Sequence, residues 1–238
     1  MDIKEEGLIR GDIGQHWYYR AKLAATRRLI GSTPARALLD VGAGLGFYSR
    51  ALLRDTGLAE AVCIDPGYPA DRDEVVDGKT LSFRRHLERS PADLVLMMDV
   101  LEHVPDDIAL AREYVDMVAS GTRFLVTVPA FMWLWSGHDL FLEHYRRYTL
   151  AEIERTLVVA GLRIERGCYF YGALLPLVAA TRLAGRLRAA KDAEPASQMR
   201  EFGKLLNTVF SLVCAAELPV FRFNRVAGLT AMVCAVKP

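Results

Sequence analysis

Apolar residues are spaced along this chain in two rhythms. Short segments rich in Val, Ile, Leu and Cys have the length of strands: Leu38 to Val41, Ala61 to Ile64, Leu162 to Tyr169 and Leu229 to Val236. Longer segments repeat apolar residues every three or four positions. Ile13 to Ile30 is one of these, with Trp17, Leu23 and Ile30 as anchors and Arg20, Lys22, Arg27 and Arg28 around them. A helix is expected to start at Pro105-Asp106-Asp107 and run to about Ala119, because proline suits the first turn and acids suit the positive end of the dipole. Thr149-Leu150-Ala151-Glu152 has the pattern of a capping box, and Gly161 ends the helix it opens. Strands alternating with helices predict a doubly wound α/β sheet.

The most informative junction is Leu38-Leu39-Asp40-Val41-Gly42-Ala43-Gly44-Leu45-Gly46-Phe47. An apolar strand runs into a turn with glycines at alternate positions and then a helix, Phe47 to about Arg54. That helix offers free N–H groups to a ligand. Asp65 closes the next strand, near the ~20 residues that separate a glycine turn from a ribose-binding acid. The pyrophosphate fingerprint requires G-x-G-x-x-G, whereas this chain has G-x-G-x-G. Asp40 would also repel a pyrophosphate, yet its charge suits an ammonium or a sulfonium.

These residues resemble the class I S-adenosylmethionine-dependent methyltransferases. Asp40 to Gly46 is similar to their first motif, Asp65 to their ribose acid, and Asp93-Leu94-Val95-Leu96-Met97-Met98-Asp99-Val100-Leu101-Glu102-His103-Val104 to their fourth-strand motif. Thr122 to Pro129 looks like the fifth strand, preceded by Ser120-Gly121 where the family often has Pro-Gly-Gly. The resemblance implies a Rossmann-like sheet, mostly parallel with an antiparallel last strand. It also implies S-adenosylmethionine as cofactor, released as S-adenosylhomocysteine, with no metal required. Gly42, Ala43 and Gly44 would line its methionine part, Asp65 the ribose, Leu87-Glu88 the adenine, and Asp99 and Val100 the far side. Trp17, Arg20, Asp40, Gly46 and His103 complete the implied cofactor set. His16-Trp17-Tyr18-Tyr19-Arg20 resembles an aromatic lid in some of these enzymes; an amphipathic helix docked on the sheet is the equal alternative.

Length and charge narrow the partners. A chain of 238 residues fits one large α/β domain, or one domain with an appendage, and a net charge of +1 gives no global electrostatic argument for nucleic acid. Cys63, Cys168, Cys214 and Cys234 lie far apart without zinc spacing, as buried thiols of a reducing compartment do. Met1 to Glu6 is acidic and lacks a signal pattern, and no run reaches the ~20 apolar residues of a spanning helix, so a cytoplasmic location is expected. The expected organisation is a helical lid at 1–35, a core at 36–170, an apolar helical insertion at 171–226 and a final core strand at 227–238. In the insertion, Gly172 to Ala180 is apolar and is followed by Arg182, Arg186, Arg188 and Lys191, while Phe202 to Phe221 has helical spacing. Plain packing, a peripheral membrane contact, a cap over an oily substrate and a homodimer face all fit it.

The segment after the fifth strand carries the candidate chemistry. Methyl transfer needs an acceptor held in line with the methyl group, and a base adds about 10²- to 10⁴-fold. His138 is the expected proton acceptor, with Asp139 or His144 in support. Arg146 and Arg147 would orient an acidic group, and Trp133, Trp135 and Tyr148 would shape the acceptor pocket. The Trp-Ser-x-His-Asp…His-x-Arg-Arg-Tyr pattern resembles a bacterial subgroup near lipid and glycan assembly, which implies a small-molecule or lipid-like acceptor. The alternative is a cofactor-binding, membrane-associated partner without turnover.

Overall fold

Alternate residues of each central strand face opposite sides of one sheet, and both sides are apolar, so helices must cover both. The computed structural model describes residues 13–31, 35–188 and 203–238, with side chains omitted at 185–188. Met1 to Glu6, Lys191 and Phe202 lie outside the described residues, as do the side chains of Arg186 and Arg188. The strands are β1 (Ala37–Val41), β2 (Glu60–Ile64), β3 (Arg72–Val76), β4 (Lys79–Arg84), β5 (Leu94–Met98), β6 (Arg123–Pro129), β7 (Arg163–Phe170) and β8 (Thr230–Val236). They form one sheet in the order β3-β4-β2-β1-β5-β6-β8-β7. β4, β2, β1, β5 and β6 run parallel, and β8 is antiparallel to both β6 and β7. The antiparallel last strand is therefore present, inserted between its neighbours.

Leu38, Leu94, Leu96, Met98 and Leu125 pack beneath α1 (Trp17–Ile30) and α2 (Phe47–Asp55). Leu39, Val41, Val95, Met97 and Val126 face the other layer, α3 (Asp107–Met117) and, after the short α4 (Gly137–Phe141), α5 (Leu150–Val159). Leu39, Val95 and Val126 are fully buried, each worth about 1.5 to 3 kcal/mol relative to exposure. Both layers are therefore needed to hide the sheet. The four cysteines are buried free thiols.

Three expectations are corrected. The β3–β4 hairpin extends the sheet by an antiparallel edge strand that the apolar pattern did not reveal; its signal is the Asp77-Gly78 turn, where both residues have positive φ, 50° and 77°. Pro105 is outside the first turn of α3 and precedes the cap, which is Asp106: its side chain accepts from Ala109 N–H at 2.9 Å. Lys22, placed with the arginines around the apolar anchors, is fully buried. It shares the inward stripe of α1 with Tyr19, Thr26 and Leu29.

The insertion forms α6 (Leu175–Arg188) and α7 (Lys204–Glu217). α7 docks on α1: Asn207 accepts from Trp17 N–H at 2.9 Å, and the Trp17 and Phe210 rings lie 5.1 Å apart. Its other face leaves Leu205, Leu206, Val209 and Leu212 exposed. Among the described residues no helix is long and apolar enough to cross a membrane.

The return from the insertion to β8 passes through Gly228, where an added Cβ would lie 2.4 Å from the Phe170 carbonyl oxygen and 2.9 Å from Tyr169 Cβ. Backbone cannot yield as a flexible side chain can. Gly228→Ala is expected to destabilise the protein by about 1 to 3 kcal/mol, the cost of overpacking, lowering Tm by about 2–4 °C per kcal/mol in a thermal melt.

Candidate functional site

A cavity of about 450 Å³ opens at the carboxyl ends of β1, β2 and β5. β1 leads into α2 on one face, whereas β5 leads to α3 on the other, so the chain diverges here and leaves a crevice. Gly42, Asp65, Asp99, Val100 and His103 line it, with Arg85, His86 and Tyr114. Gly42, Gly44 and Gly46 have φ of 61°, 52° and 69°, in the left-handed region glycine favours. At Gly42 a Cβ would approach Val100 Cγ2 to 2.8 Å and fill the cavity wall. At Gly46 it would crowd Cys63 and Phe83 at 3.1 Å, so this glycine serves the packing of α2 on the sheet.

Asp65 is tied to the turn it faces. Its Oδ2 accepts from Gly44 N–H at 3.2 Å and its Oδ1 from Gly67 N–H at 2.8 Å. Tyr68 hydroxyl donates to the Gly44 carbonyl at 2.6 Å, which fixes the other side of the bend. Asp40 lies beneath, 1% exposed, accepting from Ser49 Oγ at 2.7 Å. Burial pushes its carboxyl up to about 6, against the lowering effect of the Ser49 bond.

Asp99 ends β5 with φ 57°, a strained backbone for a residue with a side chain. Thr127 Oγ1 donates to its Oδ1 at 3.0 Å, and the Lys22 ammonium pairs with its Oδ2. Desolvation would raise this carboxyl, but Lys22 holds it below its ordinary value. The side chain stays one-third exposed, toward the cavity it lines. Lys22 thus brings a buried positive charge to the site from the middle of α1.

A second group of side chains adjoins this cavity at His103. The His103 and His144 rings meet edge to face with centroids 4.5 Å apart. His144 Nδ1 lies 3.1 Å from Asp139 Oδ1, which also accepts from Arg147 Nε at 2.6 Å. Burial would raise Asp139, but these bonds hold it well below the usual carboxylate range. An ionised carboxylate can only accept, so His144 donates through Nδ1 and keeps Nε2 as its lone-pair nitrogen. Glu102, fully buried beside them, accepts no hydrogen bond at either oxygen among the described residues. Burial, then the charge of Asp99, pushes its carboxyl well above the ordinary value.

The remaining expected site residues are distributed more widely. His103 faces the cavity, whereas His138 on α4 is outside its lining, and burial lowers the His138 imidazole to about 4. Asp139 lies at the centre of a structural knot, also closing a capping box with Ser136. Arg147 is bound to Asp139 and the Ala130 carbonyl, Arg146 to Asp107 and the Pro105 carbonyl, and Tyr148 hydroxyl donates to Asp107 at 2.8 Å. These groups are engaged in internal bonds. Trp133 is 51% exposed and stacks on Phe131, Trp135 is half-buried, and Arg20 is exposed. Trp17 sits edge-on to Tyr171 and against Phe210, joining α1 to α7. Ala43 is buried in the core, and Leu87 packs beside the second core layer while Arg85 and His86 form the cavity wall.

Sequence reasoning missed Lys22 and Glu102. Lys22 could have been found from its place on the apolar stripe of α1. Glu102 had no such signal, because one acid after a strand reads as a helix start.

Several known proteins share this architecture. The chain spans about half the length of the curated relatives it matches. An uncharacterized methyltransferase of Mycobacterium avium (strain 104) is 30% identical over 121 residues, covering 48% of this chain and 47% of the relative. A putative methyltransferase solved in complex with the Haloferax volcanii Trm112 activator superposes with a TM-score of 0.55 at 18% identity, covering 92% of this chain and 91% of that one. Haemonchus contortus phosphoethanolamine N-methyltransferase 2, solved with S-adenosyl-L-methionine, gives 0.55 at 17% identity, covering 92% of this chain and 53% of that one. The profile described as "Methyltransferase domain" matches residues 15–167, a span that holds the glycine turn, Asp65, Asp99 and the histidine cluster. The chain therefore belongs to the methyltransferase-domain family.

Proposed function

We propose that this chain is an S-adenosylmethionine-dependent methyltransferase acting on a small-molecule or lipid-like acceptor, with transfer to oxygen favoured. The observation that carries the reading is the cavity at the switch point, walled by a side-chain-free Gly42 and by the carboxylates Asp65 and Asp99. That cradle fits the cofactor: the bare backbone admits a flat nucleoside, Asp65 suits ribose hydroxyls, and Asp40 favours a cationic methionyl end. When bound, S-adenosylmethionine supplies an activated methyl group on a sulfonium, which passes to a nucleophile in one displacement.

The protein's own contribution is alignment and charge. Gly42 would hold the methionyl portion of the cofactor and Val100 would close the far side. Asp99, fixed by Lys22 and Thr127, is pre-oriented at the far wall and needs no reorganisation on binding. The acceptor enters from the His103 side. Proton removal is assigned to the corner where His103 meets the Asp139-oriented His144, because the His138 imidazole, held near 4 by burial, is a weak base. Asp139 acts as a positioning residue for His144.

Two measurements test this reading. Calorimetry with S-adenosylmethionine is expected to show binding to the wild type and a loss of about 10- to 100-fold in Asp65→Ala, since hydrogen bonds to a charged group contribute roughly 1.5–3 kcal/mol. Equal affinity in the two proteins removes the ribose assignment. The second follows from Asp40, ionised above about pH 6 and neutral below it. A cationic ligand prefers the ionised acid, so affinity should decline as pH falls through 6, with proton release on binding in that window. In Asp40→Asn the decline should flatten; a wild-type profile level from pH 5 to pH 7, roughly one unit either side of the titration, would remove Asp40 from the cofactor site.

A further inference from the structure

We infer that Glu102, His103 and His144 hold a first-row divalent metal ion at the acceptor end of the cavity. One ligand atom from each of the three lies within 4.8 Å of the others. Glu102 and His103 are adjacent on the turn after β5, whereas His144 arrives from the segment after α4, so the fold and not local spacing assembles the group.

Charge balance is the stronger argument. Asp99 is paired with Lys22, Asp139 with Arg147, and Asp107 with Arg146. Glu102 is fully buried, and neither of its oxygens has a hydrogen-bond partner among the described residues. An isolated buried carboxylate is costly unless a cation meets it. Protonation would remove the charge without supplying either oxygen with a hydrogen-bond partner among the described residues.

The histidines are arranged as ligands. Donation from Nδ1 to Asp139 fixes the His144 tautomer and turns Nε2 into the free lone pair, the carboxylate–histidine relay seen behind metal ligands. Arg147 anchors that carboxylate in turn. Two imidazoles and one carboxylate suit zinc, iron(II), manganese or cobalt better than magnesium or calcium, which favour all-oxygen sites. Three protein ligands leave a position open, and His103 places it toward the cavity. This deepens the methyl-transfer reading: with the ion bound, His103 and His144 serve as its ligands and not as free bases, and the ion would promote loss of a proton to water from an oxygen-bearing acceptor at the open position; ion binding itself stands apart from that reading. It also replaces the metal-free expectation drawn from the sequence.

The test is titration of tag-free, chelator-treated protein with Co²⁺, followed by visible absorbance and calorimetry. The expected result is a single equivalent bound with ligand-field bands in the visible, displaced by Zn²⁺. Glu102→Gln and His103→Gln should each weaken Co²⁺ binding by at least about 10- to 100-fold. If Glu102→Gln does not fold, His103→Gln at the cavity rim decides alone. Asp65→Ala should keep wild-type Co²⁺ affinity while losing S-adenosylmethionine, which separates failure of this inference from failure of the methyl-transfer reading. Absence of bands and heat up to about 1 mM Co²⁺, or binding unchanged in the folded variants, overturns the site.

Discussion

Negative charge gathered at the carboxyl ends of the strands is the constraint around which this structure is organised. Asp40, Asp99, Glu102, Asp107 and Asp139 all lie at least partly buried there, and each needs a donor or a cation to be tolerated. Ser49 serves Asp40, Lys22 serves Asp99, Arg146 and Tyr148 serve Asp107, and Arg147 with His144 serves Asp139. These pairings recruit α1, α2, α3 and the segment after β6 to one end of the sheet. The same requirement, unmet at Glu102 among the described residues, is what draws a metal ion to the site we infer.

Backbone strain collects in the same place. Asp99 follows β5, Phe131 follows β6 and Tyr171 follows β7, and all three have positive φ despite carrying side chains. Each such residue costs of order 1–3 kcal/mol and persists only where its surroundings over-determine it. The surroundings can be named. Thr127 and Lys22 hold Asp99; Phe131 stacks between Trp133 and Tyr169; Tyr171 stacks on Tyr18 and donates its hydroxyl to the Tyr18 carbonyl at 2.6 Å. The sharp turns aim loops across the strand ends instead of letting them continue outward.

Much of this was legible in the chain because it rests on local periodicity. Buried parallel strands must be apolar on both faces, a bare bend must be glycine, and a capping box must sit at a helix start. Strand positions and the Gly42–Gly46 turn followed from those rules, whereas the antiparallel last strand was implied by the family resemblance. What escaped was set by partners distant in sequence. Lys22 reads as surface until Asp99, far along the chain, appears beside it. Arg146, Arg147 and Tyr148 look like an acceptor site in sequence, yet Asp107, Asp139 and the Ala130 carbonyl claim their donors. The β3–β4 hairpin was missed for another reason: Arg72-Asp73-Glu74-Val75-Val76 is a polar edge strand, so only its Asp-Gly turn betrays it.

The insertion before β8 is linked to the site through α1. Asn207 on α7 accepts from Trp17 N–H and donates to the Gln15 carbonyl at 3.1 Å, gripping the start of α1. Trp17 packs on Phe210 and Tyr171, and Tyr171 packs on Tyr18, whose hydroxyl lies 3.4 Å from Lys22 Nζ. At the other end of α7, Glu217 accepts from Gly172 and Ala173 N–H, closing the connection back to α6. Aromatic rings in such offset and edge contacts add about 0.5–1.5 kcal/mol per pair beyond their burial. The α7 face that meets α1 thus braces the helix that carries Lys22 to Asp99.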